Sequence, residues 1–164
     1  MSGHSTASAS IELAAPPETV WAALVDPASF ARWYGLTLET TWQPGAPMAF
    51  TGSVGAKKIR DHGTVVEVVR PMRLAWRYFS RITGLPDEPQ NYATITLTLT
   101  PTAAGTELSV THTVPPSPVR RGKDWEIGPE SGIKHVEFWW RSTLPILKAV
   151  VEGRDLPLAA SMRS

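Results

Sequence analysis

Apolar residues recur along this chain at two spacings, two residues for strands and three to four for helices, and the spacing changes in a fixed order. After a small, polar opening, MSGHSTASAS, the segment SIELAAP reads as a short strand. PPETVWAALVD places proline at a helix start, Glu18 in its first turn, and Val20, Trp21 and Leu24 at helical spacing. Asp26-Pro27 ends that helix, and PASFARWYG predicts a second short one closed by Gly35. Strand periodicity follows: LTLETTW, then a Pro44-Gly45 turn, then PMAFTGSV with Met48, Phe50 and Val54 on one side. GAKKIRDHG reads as a polar hairpin region, and GTVVEVVRP and RLAWRYFSR as two strands joined at Pro71. Beyond the loop ITGLPDEPQN, YATITLTLTP sets Ala93, Ile95, Leu97 and Leu99 against a row of threonines. ELSVTHTV likewise alternates Leu108, Val110, His112 and Val114 against Ser109, Thr111 and Thr113.

The order is strand, two helices, six strands in hairpin succession and one long helix. Such a succession makes the sheet antiparallel, and the clean alternation gives it one buried face. The chain is expected to form one α+β domain over 10–153, between a disordered tail at 1–9 and a C-terminal tail at 154–164.

The final helix, GIKHVEFWWRSTLPILKAVV, is the most apolar stretch near the C-terminus. On a helical wheel Lys134, Glu137, Arg141, Lys148 and Glu152 form one stripe. Ile133, Val136, Trp140, Leu144, Leu147 and Val151 form the opposite one. Trp139, Thr143, Ile146 and Val150 make a second apolar row beside it, Phe138 falls nearer the charged edge, and Pro145 should kink the helix. This apolar arc exceeds the roughly 100° that an ordinary surface helix needs, so the second row is available to border a gap under the sheet.

Composition narrows the function. A chain of 164 residues hides roughly 70% of its unfolded surface, and its core needs no staple. The absence of cysteine excludes disulfides, thiolate zinc sites and cysteine nucleophiles. A net charge of +1 lacks the basic excess of a nucleic-acid binder. No apolar run reaches the ~18 residues of a membrane span, and the opening is no signal peptide; a cytoplasmic location is expected. His4, His62, His112 and His135 have no metal-ligand spacing, no G-x-S-x-G occurs, and no glycine-rich phosphate loop follows a strand. Neither metal nor cofactor is expected.

VWAALVDPASFARWYG resembles the helical start of the SRPBCC (START/Bet v 1-like) superfamily. The pieces QPGAPMAF, GTVVEVVRPMRLAW, LTPTAAGTELSVTHT and the closing helix with its aromatics before L-P-I-L-K follow in the same order. The likeness runs from about Ile11 to Val151 and is nearest to the activator of heat-shock protein 90 ATPase homologue family, with polyketide cyclase families as neighbours. It implies a helix-grip fold, a curved seven-stranded antiparallel sheet wrapped around the C-terminal helix with a hydrophobic cavity between them. It leaves three activities open: binding of a small hydrophobic molecule, a cyclase-like enzyme, or a co-chaperone-like module acting on a heat-shock ATPase. A monomer or homodimer is expected.

Seven tryptophans and the strand parities supply the candidates. Trp76 and Tyr78 share a face with Leu74 in RLAWRYFSR, opposite Arg73, Arg77 and Arg81, and point toward the same space as Phe50, Leu97 and Trp139. They form either an unusually bulky plain core or, with Thr143 on the helix flank, the lining of a cavity, with aromatic walls and a phenol to orient a polar ligand atom. Trp21 and Trp33 read as packing. His112 shares the apolar parity of its strand and must find a partner there, as a satisfied core histidine or as a proton-transferring group. Arg60 and His62 share parity with Val66 and Val68, whereas Val65, Glu67 and Val69 offer the other face as an equal core row, so their direction stays open. His112, Tyr78 and Arg60 are the catalytic candidates if the protein is an enzyme. The long connection PPSPVRRGKDWEIGPES, with Arg120, Arg121, Lys123 and Trp125, is a lid, a docking surface for an acidic partner or a solvated link.

Overall fold

The computed structural model describes residues 3–80 and 83–155. Strand β1 (Ser5–Leu13) leads into helices α1 (Pro17–Val25) and α2 (Pro27–Tyr34). Strands β2 (Thr37–Glu39), β3 (Pro47–Val54), β4 (Lys57–Val69), β5 (Arg73–Phe79), β6 (Ala93–Thr102) and β7 (Gly105–Val114) follow. A two-residue hairpin, β8 (Arg120–Arg121) and β9 (Glu126–Ile127), precedes α3 (Ser131–Glu152). The main sheet is antiparallel with the order β1-β7-β6-β5-β4-β3-β2, so the two short helices carry the chain from one edge to the other. With α3 against it this is the expected helix-grip arrangement. Among the described residues no helix is long and apolar enough to cross a membrane.

Asp26 divides α1 from α2. Its backbone caps the C-terminus of α1, while its carboxylate accepts a 3.0 Å bond from the Ser29 amide in the first turn of α2. Gly35, at φ 93°, ends α2 in the left-handed conformation that glycine adopts most readily. α3 runs unbroken through Pro145, whose ring lies on the exposed side. Glu152 fastens its C-terminal end to the rest of the fold. The carboxylate accepts from the Ala14 amide at 2.8 Å and Lys148 at 2.7 Å, and Lys148 also donates to the Glu12 carbonyl. The Lys148 bond, then the Ala14 bond, hold the Glu152 pKa down at about 2.

Three expectations change. The residues read as a disordered tail at 1–9 include Ser5–Ala9, which form the first half of β1 and pair with Val110–Val114 of β7. Their inward positions carry Ala7 and Ala9, small residues beneath α3, and the missing bulk made a strand look like a tail. The segment LTLETTW contributes only three strand residues, Thr37–Glu39. The polar GAKKIRDHG is mostly the first half of β4, which begins at Lys57.

A β-bulge between Val65 and Glu67 resolves the open parity of β4. Val65 stands opposite Trp76 and Val68 opposite Leu74, so two inward residues are three apart, and Val66 is the exposed extra residue. Both valine rows are therefore partly inward. Before the bulge the inward parity belongs to Asp61, Gly63 and Val65. Arg60 and His62 consequently lie on the outer face, opposite Thr51 and Phe79. The direction of Arg60, left open by the sequence, is outward in this register, so Arg60 does not join the other catalytic candidates, His112 and Tyr78. On β5, Arg73 and Arg77 are exposed as expected, while Arg81 and the side chain of Val54 lie outside the described residues.

Candidate functional site

The inner face of the sheet, α2 and α3 meet in a cluster of aromatic rings. Phe30 and Tyr34 of α2 stack at 4.6 Å between centroids, and Tyr34 stands 5.9 Å from Phe50 of β3 and 5.0 Å from Trp139 of α3. Phe50 is in turn 6.1 Å from Tyr78 of β5. The result is a row, Trp139–Tyr34–Phe50–Tyr78, whose two end residues are half-buried and whose middle is buried. Trp76 lies behind it, fully buried, 6.3 Å from both Phe30 and Tyr34 and 5.7 Å from Trp42. Leu97 belongs to the floor of this region, buried between Leu74 and Val110 on the neighbouring strands.

His112 joins this cluster to α3. It is 3% exposed and accepts a 2.9 Å bond at Nδ1 from the indole N–H of Trp140. Its Nε2 lies 2.9 Å from the Tyr78 hydroxyl. Indole nitrogen only donates, so Nδ1 carries no proton and the neutral ring must carry its hydrogen on Nε2. That hydrogen is donated to the Tyr78 oxygen. Burial pushes the His112 pKa down to about 3. Protonation would also set a second N–H against the Trp140 donor. Tyr78 is shifted the other way: burial first, then the nearby Asp61 carboxylate, hold its phenol protonated well above the usual range.

Two further polar groups are buried in this region without a partner among the described residues, the Trp76 Nε1–H and the Thr143 hydroxyl. Thr143 follows Trp139 by one turn of α3 on the same flank. Leaving such groups unsatisfied costs about 1–3 kcal/mol each.

Of the residues singled out from sequence, Phe50, Trp76, Tyr78, His112 and Trp139 are thus linked through shared rings and hydrogen bonds. Trp21 and Trp33 pack as expected, and the Trp33 indole donates to the Ala23 carbonyl at 3.2 Å. Arg60 is exposed on the opposite side of the sheet. Sequence reasoning missed Tyr34, Trp42 and Asp61. Tyr34 was legible as the last ring before the Gly35 stop. Trp42 sits in a loop at φ 57°, rare for a residue with a side chain, and no periodicity announces it. Asp61 was hidden in the charged run taken for a hairpin.

Elsewhere, a groove of about 280 Å³ runs between β1 and α3 beside Ala7, Ala9, Glu137 and Arg141, and a recess of about 480 Å³ lies on the outer face beside Arg77, Tyr92 and Thr113. The proline-rich connection folds its basic residues into the β8–β9 hairpin, where Arg121 pairs with Glu126 and Arg120 donates to the Thr83 carbonyl. Among the described residues no three histidine or acidic side chains gather as a metal site would require.

The fold recurs in solved structures. A protein from Cytophaga hutchinsonii, ChR145, matches with a TM-score of 0.70 at 30% identity, over 91% of this chain and 94% of its own. CV1439 from Chromobacterium violaceum matches at 0.66 and 26% identity over 90% and 96%. MLL2253 from Mesorhizobium loti matches at 0.69 over 93% and 100%, and at 18% identity it speaks for the fold alone. None of the curated proteins compared is significantly similar in sequence. The profile described as activator of Hsp90 ATPase homolog 1-like protein covers residues 14–152, from the end of β1 to the end of α3. With that span matched and the helix-grip arrangement in place, the chain belongs to this family of the SRPBCC superfamily.

Proposed function

We propose that the protein binds a small, apolar, aromatic molecule between the sheet and α3, against Tyr34, Phe50, Trp76, Tyr78 and Trp139. The observation that carries this reading is the pair of buried groups without partners, Trp76 Nε1–H and the Thr143 hydroxyl, set in an otherwise apolar aromatic region. Native proteins satisfy nearly all such groups, so each one left over calls for a partner, and ligand sites set a few polar groups among apolar and aromatic walls. The half-buried ends of the ring row, Trp139 and Tyr78, give such a molecule two aromatic edges to slide between. A ligand ring would join this cluster in the offset-stacked or edge-to-face arrangements that aromatic pairs prefer.

The cyclase-like alternative gains less support. A general acid or base works best with its pKa near the working pH. His112 is held far below neutrality and Tyr78 far above it, each in its neutral form, and Arg60 faces the other side. The co-chaperone alternative rests on the description of the family.

Indole fluorescence titrated with a panel of two- and three-ring aromatic compounds tests the binding reading. Saturable quenching is expected, weakened in Trp76→Phe and Thr143→Val. Thr143→Val should at the same time leave stability unchanged or raise it, because it removes an unsatisfied hydroxyl. A well-folded protein giving no saturable response across the panel rejects the reading. A Thr143→Val variant that loses stability and keeps affinity returns that residue to the structural core.

A further inference from the structure

The hydrogen bonds around His112 run in one direction, and that direction has a consequence at Tyr78. Trp140 donates to Nδ1, so Nε2 holds the ring's hydrogen and donates to the phenol oxygen. A hydroxyl has one hydrogen. With its oxygen already accepting from His112, the hydrogen of Tyr78 points away from the imidazole. Among the described residues His112 is the only hydrogen-bond partner of Tyr78, and the nearby Asp61 carboxylate acts on the phenol through charge without a hydrogen bond, so that hydrogen is uncommitted. Tyr78 also borders Phe50 and is half-buried, placing the donor at one end of the ring row.

Resting on the binding reading above, we propose that Tyr78 is a one-way donor, fixed by the Trp140–His112 chain, which selects neutral aromatic ligands bearing a carbonyl-type acceptor. Trp140 and His112 are positioning residues in this arrangement; Tyr78 touches the ligand. A ligand that brings only a donor meets the hydrogen of Tyr78 with a hydrogen of its own. A hydrocarbon leaves that hydrogen buried and unpaired, which is the usual source of strong discrimination by a polar site. The N–H of Trp76, a donor alone, strengthens the same preference, whereas the hydroxyl of Thr143 serves a donor or an acceptor equally. Reversing the preference requires Nδ1 to be protonated, and the Trp140 N–H occupies that position.

Three tricyclic probes of nearly equal shape test it: 9-fluorenone with a carbonyl, fluorene with a methylene and carbazole with an N–H. Fluorenone should bind at least about tenfold more tightly than either of the others, the discrimination of one hydrogen bond met or left unmade. Tyr78→Phe should reduce that ratio several-fold, since it weakens fluorenone binding and relieves the unpaired donor that penalises fluorene. Equal affinities for the three, or a ratio that survives Tyr78→Phe, overturn the proposal and leave the binding reading standing. If none of the three binds, both fall. Independently, nitrogen NMR of the wild-type protein near neutral pH should show His112 with Nε2 protonated and Nδ1 bare. A hydrogen on Nδ1 overturns the proposal regardless of any variant. Trp140→Phe frees Nδ1 and should lower the fluorenone-to-fluorene ratio together with a shift in tautomer. Should that buried substitution prevent folding, the wild-type tautomer and the Tyr78→Phe ratio still decide.

Discussion

Among the described residues two histidine–tyrosine pairs lie on opposite faces of the same sheet, and their surroundings give them opposite properties. Inside, His112 and Tyr78 are 2.9 Å apart, with the Trp140 indole as the third member. Outside, His62 and Tyr92 are 3.0 Å apart, with the Asp87 carboxylate as the third member. The outer phenol gives its hydrogen to Asp87 at 2.6 Å, and that bond, more than burial, raises the Tyr92 pKa. The inner phenol also has a carboxylate nearby, Asp61, but among the described residues it acts on Tyr78 through its charge and not through a hydrogen bond. Where the third member is a carboxylate the tyrosine hydrogen is spent; where it is an indole N–H the hydrogen is left to offer. The position of one donor or acceptor thus separates a surface network from a candidate site.

Replacing the two histidines is the most severe test of this contrast. His112→Leu removes the acceptor of the Trp140 N–H and leaves it buried, and it strips Tyr78 of its partner. We expect a loss of about 2–4 kcal/mol, combining an unsatisfied donor with imperfect refilling of the space. His62→Leu, with a side chain 41% exposed, should change stability by less than about 1 kcal/mol. Urea denaturation of both variants measures the difference, and equal losses would erase the distinction between the faces.

The pH dependence sharpens the same point. The folded-state pKa of His112 lies below its unfolded value, so between about 6.5 and about 3 the unfolded chain binds a proton that the folded one refuses. Stability therefore falls as pH drops through that window, by up to about 1.4 kcal/mol per pH unit from this one group. His112→Gln, which keeps hydrogen-bonding capacity without a titrating ring, should flatten the slope between pH 6 and 4. A slope unchanged in that variant would assign the acid sensitivity to other groups. Glu152, whose pKa is depressed, contributes in a separate window: its stabilisation is complete above the ordinary carboxylate range and is lost only toward about pH 2.

How legible these two pairs were differs for physical reasons. Strand alternation announced the inner pair. His112 carries the parity of Leu108 and Val110, Tyr78 that of Leu74 and Trp76, and a buried imidazole must find a partner. Wheel geometry likewise separated Trp140, 1% exposed, from half-buried Trp139 and exposed Phe138. The order of elements and the antiparallel sheet were legible for the same reason, since local periodicity reports directly on burial. The direction of the hydrogen bonds was not, because it depends on which atom of Trp140 meets which nitrogen across the core. The outer pair was hidden twice. Tyr92 follows a loop, and the bulge at Val65–Glu67 breaks the period-two count, so no parity rule carries inward or outward from Val68 to His62. The loss of the first half of β1 from the expected fold has another cause, because alanine under a helix has no apolar signature.

The smallest effect is expected where the outer pair meets its carboxylate. Asp87→Asn keeps the shape and an acceptor near the Tyr92 hydroxyl while removing the charge. Asp87 and His62 are each close to half exposed, and water screens exposed pairs of this kind, so the cost should stay below about 1 kcal/mol. Raising the salt concentration should lower the wild-type protein toward the variant and leave the variant unchanged. The ionisation of Tyr92, followed by its ultraviolet absorbance, should move to lower pH in Asp87→Asn, since the bond to the carboxylate is the main reason it is raised. Tyr78 should stay protonated in both proteins until they unfold, because its shift comes first from burial. A phenol inside that titrated together with the one outside would mean that water reaches both faces alike, and the inner pair would then have no claim to the dry surroundings that make its uncommitted hydrogen matter.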